Sequence, residues 1–328
     1  MKKLLAIASI ALALMAAGFA GAAAEAYPSR TITIIVPYTP GGPTDTLARI
    51  LADGMRRSLG APVIVENVAG AGSTIGVARV AHAAPDGYTI CVGTWTSHVG
   101  APAIYPVQYD VLADFAPVAL LPIAPTMIIG KKTLPADTLQ GLIGWLRANP
   151  DKALAGTVGA GSPSHVGGIF FQQRTGTRFQ FVPYKGGSVA MQDLVAGHID
   201  LRMGSEASQT LPFLRSGAIK ALAILGQHRW SAAPEIPTVD EEGLPGLYLP
   251  FWNAMWVPNG TPDAVVARLN AAVLEALADD ALRRRLTGLG MEIPPRDALT
   301  PQALRAFHKA EIEKWWPVIR SAGIKIER

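Results

Sequence analysis

The segment ITIIVPYTPGGPTDTLARILADGMRRSL, residues 32–59, decides the fold. Its first five residues, Ile32 to Val36, are β-branched and apolar almost without interruption, the pattern of a strand covered on both faces. A loop of prolines and glycines follows, and beyond it Leu47, Ile50, Leu51, Met55 and Leu59 recur at helical spacing. Strand, glycine-rich loop and amphipathic helix, in that order, make the unit of a parallel sheet, because only a crossover connection can return the chain to a parallel neighbour.

Outward from that segment the unit repeats. Val63 to Glu66 reads as a second strand, followed by a Gly-rich loop and a helix from about Thr74 to Ala83. After the turn Pro85-Asp86-Gly87, Tyr88 to Val92 is a third strand. Further on, Leu154 to Val158 leads through glycines into a helix bearing Val166, Ile169 and Phe170. Phe179 to Val182 leads through Lys185-Gly186-Gly187 into a helix over Val189 to Ala196. Ile199 to Met203 is another strand, with a helix near Gln209 to Ser216 and the strand Lys220 to Leu225 after it. Pro262 to Ala278 and Pro301 to Arg320 read as helices opened by proline.

The fold class is therefore α/β with mostly parallel sheets, and two series of units imply two lobes. The proline-rich stretches Leu121 to Met127 and Leu244 to Phe251 read as crossings between them. If both cross, lobe 1 is discontinuous, residues 27–124 with 248–328, and lobe 2 is residues 125–247.

Composition removes several function classes. The 328 residues are 49% hydrophobic and 16% charged with a net charge of +4, which excludes a disordered chain. The single Cys91 excludes a disulfide scaffold, a Cys-based zinc site and an iron–sulfur cluster, and its apolar surroundings suit a buried thiol. Arg283-Arg284-Arg285 lies beside Asp279 and Asp280 and reads as a solvated helix face, so no nucleic-acid partner is expected.

The N-terminus reads as an export signal. Met1-Lys2-Lys3 is its positive start, Leu4 to Ala17 its apolar run, and Ala24-Glu25-Ala26 a small-x-small end, predicting cleavage after Ala26. No Cys precedes Cys91 to carry a lipid anchor. The other apolar stretch, Phe115 to Gly130, is broken by Pro117, Pro122 and Pro125 and cannot be a membrane helix. A soluble, unanchored periplasmic protein is expected.

In open parallel sheets, ligands bind in the loops at the carboxyl ends of strands. Five such loops combine glycines with hydroxyl residues ahead of a helix. The first, Pro37 to Asp45, offers Tyr38, Thr39, Gly41, Gly42 and Thr44. The second, Asn67 to Gly76, offers Asn67, Gly72 and Ser73; the third, Gly93 to His98, offers Thr94, Trp95 and Thr96. Gly159 to His165 offers Gly161, Ser162, Ser164 and His165, and Tyr184 to Ser188 offers Tyr184 and Lys185. Glycine lets backbone N–H groups point at a ligand, and a helix N-terminus favours an anion. Lys185 is the one fixed cation among these loops, which points to a carboxylate held by neutral donors rather than a phosphate held by arginines. Asp45 would repel an anion, so it reads as a helix cap unless the ligand carries an amine or a water intervenes. Trp95 reads equally as a stacking surface and as a core residue.

Catalytic patterns fail. Gly-x-Ser-x-Gly is absent, as is a Gly-Lys-Ser/Thr phosphate loop, and Gly70-x-Gly72 with Gly76 misses the dinucleotide spacing by one residue. The histidines are not spaced for a metal on one helix face, so no metal and no cofactor is expected. Ser162 and His165 could form a nucleophile pair at a helix start, but no acid to orient the histidine is identifiable. Binding is favoured over a secreted hydrolase or isomerase.

Several motifs resemble one family. They are Tyr27-Pro28-Ser29-Arg30, Pro40-Gly41-Gly42 with Asp45, Glu66-Asn67 with Gly70-Ala71-Gly72, and Ala84-Pro85-Asp86-Gly87-Tyr88. Tyr109-Asp110, Asp114-Phe115-Ala116-Pro117-Val118, Val182-Pro183-Tyr184-Lys185-Gly186, Asp193-Leu194 with Gly197, and Gly260-Thr261-Pro262 continue the series. The chain resembles the extracytoplasmic solute receptors of tripartite tricarboxylate transporters, the Bug receptors. The resemblance implies a two-lobed periplasmic-binding-protein fold of type II with a two-strand hinge, a monomer closing on a small carboxylate. It also implies delivery of that solute to a membrane permease of two further subunits; a role in ligand sensing with a signalling partner stays open beside it. The third loop departs from the family, with Ser97-His98-Val99-Gly100-Ala101-Pro102 where an Asn-Pro segment is usual.

Overall fold

The computed structural model describes residues 27–323 apart from Lys185 and Pro250, so the expected export signal lies outside the described residues. Strand β1 (Ile32–Val36) is followed by helix α1 (Pro43–Leu59), β2 (Val63–Asn67), α2 (Thr74–Ala81) and β3 (Thr89–Thr94). β4 (Phe115–Leu120) ends the first run, and β5 (Thr126–Lys131) begins the second. The second run continues through α3 (Leu139–Ala148), β6 (Leu154–Thr157), α4 (Pro163–Thr175), β7 (Gln180–Pro183), α5 (Gly187–Ala196), β8 (Leu201–Glu206), α6 (Ala207–Arg215) and β9 (Ile219–Ile224). β10 (Asn253–Pro258), α7 (Asp263–Ala278), α8 (Asp280–Gly288) and α9 (Pro301–Ser321) close the chain.

Two five-stranded sheets result, in the orders β2-β1-β3-β10-β4 and β7-β6-β8-β5-β9. β1 pairs in parallel with β2 and β3, while β10 runs antiparallel to both β3 and β4. The second sheet repeats the plan, with β6 parallel to β7 and β8 and with β5 antiparallel to β8 and β9. Each sheet thus holds one reversed strand, and each reversed strand is the first that the chain forms on arriving from the other sheet. Four of the five strands in each sheet run one way, but half of the pairings are antiparallel, so the expected mostly parallel sheets are mixed sheets in a two-lobed α/β fold.

Local sequence explains the elements. α1 has proline at its first turn, Asp45 near its positive end and Arg56 and Arg57 near its negative end. Gly60, at φ 69°, ends it by donating to the Arg56 carbonyl. Gly54 lets α1 lie close on α7, since a Cβ there would sit 2.6 Å from the Ala276 Cβ. That contact brings a C-terminal helix back onto the first sheet. β1, whose apolar run predicted cover on both faces, has Ile32, Ile34, Ile35 and Val36 fully buried.

The two passages between sheets are tied to each other. Ala124 and Phe251 form an antiparallel bridge, and the Thr126 hydroxyl donates to the Leu249 carbonyl. Asn253 donates through Nδ2 to the Pro122 carbonyl at 3.0 Å, and its Oδ1 accepts from the Thr44 hydroxyl at 3.2 Å. Thr44, expected at the ligand, is therefore occupied in linking α1 to the crossing strand.

Candidate functional site

Because β1, β2 and β3 run in parallel, the loops that leave them emerge on one edge. Asp45 organises the first of these loops. Buried to 3% exposure, its Oδ2 accepts from the Gly41 N–H at 2.8 Å and from Arg49 Nε at 3.1 Å. Its Oδ1 accepts from Asn67 Nδ2 at 2.9 Å, and the same Nδ2 lies 3.1 Å from the Tyr38 carbonyl. Burial would raise the Asp45 pKa, but the bonds from Arg49, Gly41 and Asn67 outweigh it and hold the carboxyl below its ordinary value. The expectation that Asp45 caps the helix needs correcting: Gly42 is the N-cap residue, and Asp45 reaches past it to fix the loop. Asn67 is likewise committed to the protein, since its Oδ1 accepts from Arg49 Nη2. Among the described residues, the backbone N–H groups of Thr39, Gly42 and Ala71 find no protein acceptor.

The second loop has an unusual backbone. Gly70, Ala71, Gly72 and Ser73 take φ values of 136°, 44°, 63° and 84°, four left-handed residues in succession. For Ala71 and Ser73 this conformation costs about 1–2 kcal/mol each, a strain that persists only where surrounding structure imposes it. Tyr105 packs against the loop; a Cβ at Gly72 would meet its ring at 2.7 Å.

The third loop is not an open loop. β3 runs to Thr94, and Trp95 opens a tight helical turn over Thr96–Gly100 that is clamped to α9. Trp95 is 1% exposed and packs edge-on against Trp315, with centroids 5.7 Å apart. Of the two readings of Trp95, core is the one the structure shows, because the indole is packed by a helix more than two hundred residues away in sequence. Trp316 Nε1 donates to the Val99 carbonyl at 3.0 Å, and His308 Nε2 lies 2.9 Å from the His98 carbonyl. His98 stacks on Trp256 at 3.7 Å; burial, with His308 beside it, keeps its pKa well below the ordinary value. Thr94 Oγ1 lies 2.6 Å from the Tyr38 hydroxyl and accepts from the Thr96 N–H at 3.1 Å.

On the second sheet, Gly159 and Gly161 are left-handed at φ 102° and 72°, and Ser162 caps α4. Ser162 Oγ donates to the Gly159 carbonyl at 2.7 Å, and Ser164 Oγ accepts from the Val158 N–H at 3.1 Å. His165 Nδ1 accepts from the Gly161 N–H at 3.3 Å, and its ring stands edge-on to Phe181. Its bond to Ser162 is made by the backbone N–H, so the imidazole is not placed to take the serine proton. Tyr184 donates its hydroxyl to Asp193 at 2.7 Å; burial, reinforced by that bond, pushes its pKa up to about 12. Lys185 lies outside the described residues.

Arg202, on β8, was not among the residues that sequence singled out. It is 4% exposed, with Nη1 donating to the Gly187 carbonyl at 3.3 Å and Nε buried without an acceptor. A charge in a short strand reads as facing solvent, and here the first turns of α5 and α6 cover it, at Gly187 and Gln209.

The two edges face each other. A Cβ on Gly100 would lie 2.7 Å from the Gly161 carbonyl oxygen, and one on Gly161 would lie 1.9 Å from Ile104 Cδ1. Among the described residues, no cluster of three metal-ligating side chains occurs, and no helix is long and apolar enough to cross a membrane.

Two α/β lobes tied by paired crossing segments, with glycine-rich strand-end loops meeting between them, define a periplasmic-binding-protein fold. BugD, a periplasmic binding protein, has it at a TM-score of 0.79 and 35% identity, over 92% of this chain and 100% of that one. MatC from Rhodopseudomonas palustris, solved with bound malate, matches at 0.80 and 37% identity, over 89% of this chain and 100% of that one. An R. palustris protein solved with adipate matches at 0.82 and 32% identity, over 92% and 100%. BugT of Bordetella pertussis is 36% identical over 330 residues, covering 100% of this chain and 99% of BugT. The family described as the tripartite tricarboxylate transporter family receptor matches residues 47–324, and the chain belongs to that family.

Proposed function

We propose that the protein is a periplasmic receptor that captures a small carboxylate between its lobes and delivers it to the membrane permease of a tripartite tricarboxylate transporter. The observation that carries the ligand class is the left-handed run Gly70–Ser73 after β2, the strand next to the one before the Asp45-ordered loop, two backbones shaped to present N–H groups rather than cations. Malate and adipate in two related structures support a carboxylate ligand. Thr39, Gly41 and Gly42 would meet the solute with Gly72 and Ser73, beside the Tyr38, Thr94 and Thr96 cluster. Gly161, Ser162, Ser164 and His165, with Tyr184 and Lys185, would close from the other lobe. Asn67, Thr44 and Trp95 would hold these loops in place.

The same reading divides the chain at its crossings, residues 27–124 with 248–328 against 125–247, and makes residues 1–26 an export signal. A receptor closes only on a ligand that binds the closed state better than the open one, so contacts from both lobes are required. A thermal-shift screen of mono-, di- and tricarboxylates tests the reading. A ligand at 100 times its dissociation constant adds about 2.7 kcal/mol of stability. If neutral sugars or cations shift the melting temperature while every carboxylate fails, the proposal is wrong.

A further inference from the structure

Arg202 poses a problem that its neighbours do not solve. Its side chain leaves β8, passes the space beside Gly156 and ends at the start of α5, where Nη2 would stand 3.5 Å from a Cβ on Gly187. Gln209 Oε1 lies 2.9 Å from the same point, so the guanidinium sits between the first turns of α5 and α6. Those two turns follow β7 and β8 and lie on the loop edge that carries Gly159 to Ser162. Among the described residues, no carboxylate is within ion-pair distance of Arg202. Burial pushes its pKa down to about 10, which leaves it cationic at neutral pH. A buried charge is ordinarily paired, because removing it from water costs several kcal/mol that a counter-ion must offset. Among the described residues, a single long bond to a carbonyl is the charge's protein partner, and Nε has none. Two helix N-termini beside it add positive potential rather than relieve it.

We infer that Arg202 pairs with a second carboxylate of the solute, through Nε and Nη2, so that this receptor selects dianionic over monoanionic acids. The inference rests on the carboxylate-receptor reading and sharpens it. The first carboxylate meets neutral backbone donors of lobe 1, and the second meets a guanidinium of lobe 2. Side-on pairing at Nε and Nη2 is the two-bond geometry that arginine offers a carboxylate and that lysine does not reproduce. The arrangement also gives closure its energy, since the buried cation gains its anion only when both lobes hold one ligand.

The test is calorimetric titration of the purified protein with four- to six-carbon dicarboxylates, each against its own monoamide. The wild type should bind at least one dicarboxylate more than tenfold tighter than the matching monoamide. In Arg202→Met that dicarboxylate should lose about 10- to 100-fold, the range of a charged hydrogen bond, while the monoamide is unchanged. The ligand-free melting temperature of Arg202→Met should not fall, because an unpaired buried charge has been removed; a purely structural arginine would lower it. Should Arg202→Met fail to fold, Arg202→Lys keeps the charge without the fork and should show a reduced preference for the dicarboxylate. Equal loss for both ligands, or unchanged dicarboxylate affinity in both variants, overturns the inference. Wild-type binding of carboxylates without a preference for the second charge overturns it while leaving the receptor reading intact. No binding by any member of the panel removes the receptor reading and this inference together.

Discussion

Gly100→Ala isolates the contact between the lobes. Gly100 has φ −69° and ψ −56°, a right-handed conformation that alanine adopts without strain. The perturbation is therefore the methyl group alone. It would stand 2.7 Å from the Gly161 carbonyl oxygen and 2.7 Å from the Trp95 ring, where ordinary contact begins near 3.4 Å. The carbonyl is backbone and the indole is wedged against Trp315, so neither can turn aside cheaply. Overpacking of this kind costs about 1–3 kcal/mol. The part against Trp95 burdens open and closed forms alike and is offset by about 1 kcal/mol of helix propensity gained over glycine. The part against Gly161 exists only while the lobes are together. If that part dominates, affinity falls by about 5- to 150-fold at 1.4 kcal/mol per tenfold, with the ligand-free melting temperature near that of the wild type. Titration calorimetry with the tightest carboxylate from the screen, beside scanning calorimetry without ligand, separates the two. A variant that melts early but binds as the wild type would refute the placement of Gly100 and Gly161 at the closing surface.

Two further outcomes follow from the same geometry. Asp45→Asn loses the bonds that order the first loop and should destabilise the protein at neutral pH by about 1–3 kcal/mol. Because the native Asp45 pKa is depressed, that contribution is full above the unfolded carboxylate value near 3.8 and disappears as pH falls through the lower native value, so the difference between the two proteins in denaturation should begin to shrink only below about pH 4. Ser162→Tyr puts a ring in place of a buried hydroxyl next to Gly161, the residue that meets Gly100 and Ile104, and should abolish solute binding with the far-ultraviolet dichroism unchanged; wild-type affinity would move the site elsewhere.

The units of the fold were legible because buried parallel strands are near-continuous apolar runs, and Ile32–Val36 appears in the structure with the bounds its sequence predicts. The strands Phe115–Leu120 and Thr126–Lys131 were less so, since the prolines that rule out a helix there also mask the strands around the crossing. The glycine-rich loops were legible as strand-end loops, but the task of each side chain was not. Thr44, Asn67 and Trp95 look like ligand residues in a loop, yet their partners are Asn253, Asp45 and Trp315, and only tertiary packing brings those partners in. The helical turn after β3 has the same origin, because α9 supplies Trp316 and His308 to hold it. Arg202 was hidden for the opposite reason. A lone cation within a strand gives no periodic signal, and its burial depends on the first turns of α5 and α6 closing over it.

The most direct measurement is a crystal structure of the protein with a carboxylate that the thermal screen selects. The expected result is one carboxylate group within hydrogen-bond distance of the N–H groups of Thr39, Gly42 or Ala71, with the Gly161 loop closed over the ligand. A ligand bound away from the facing edges of the two sheets, or held within one lobe alone, would contradict it.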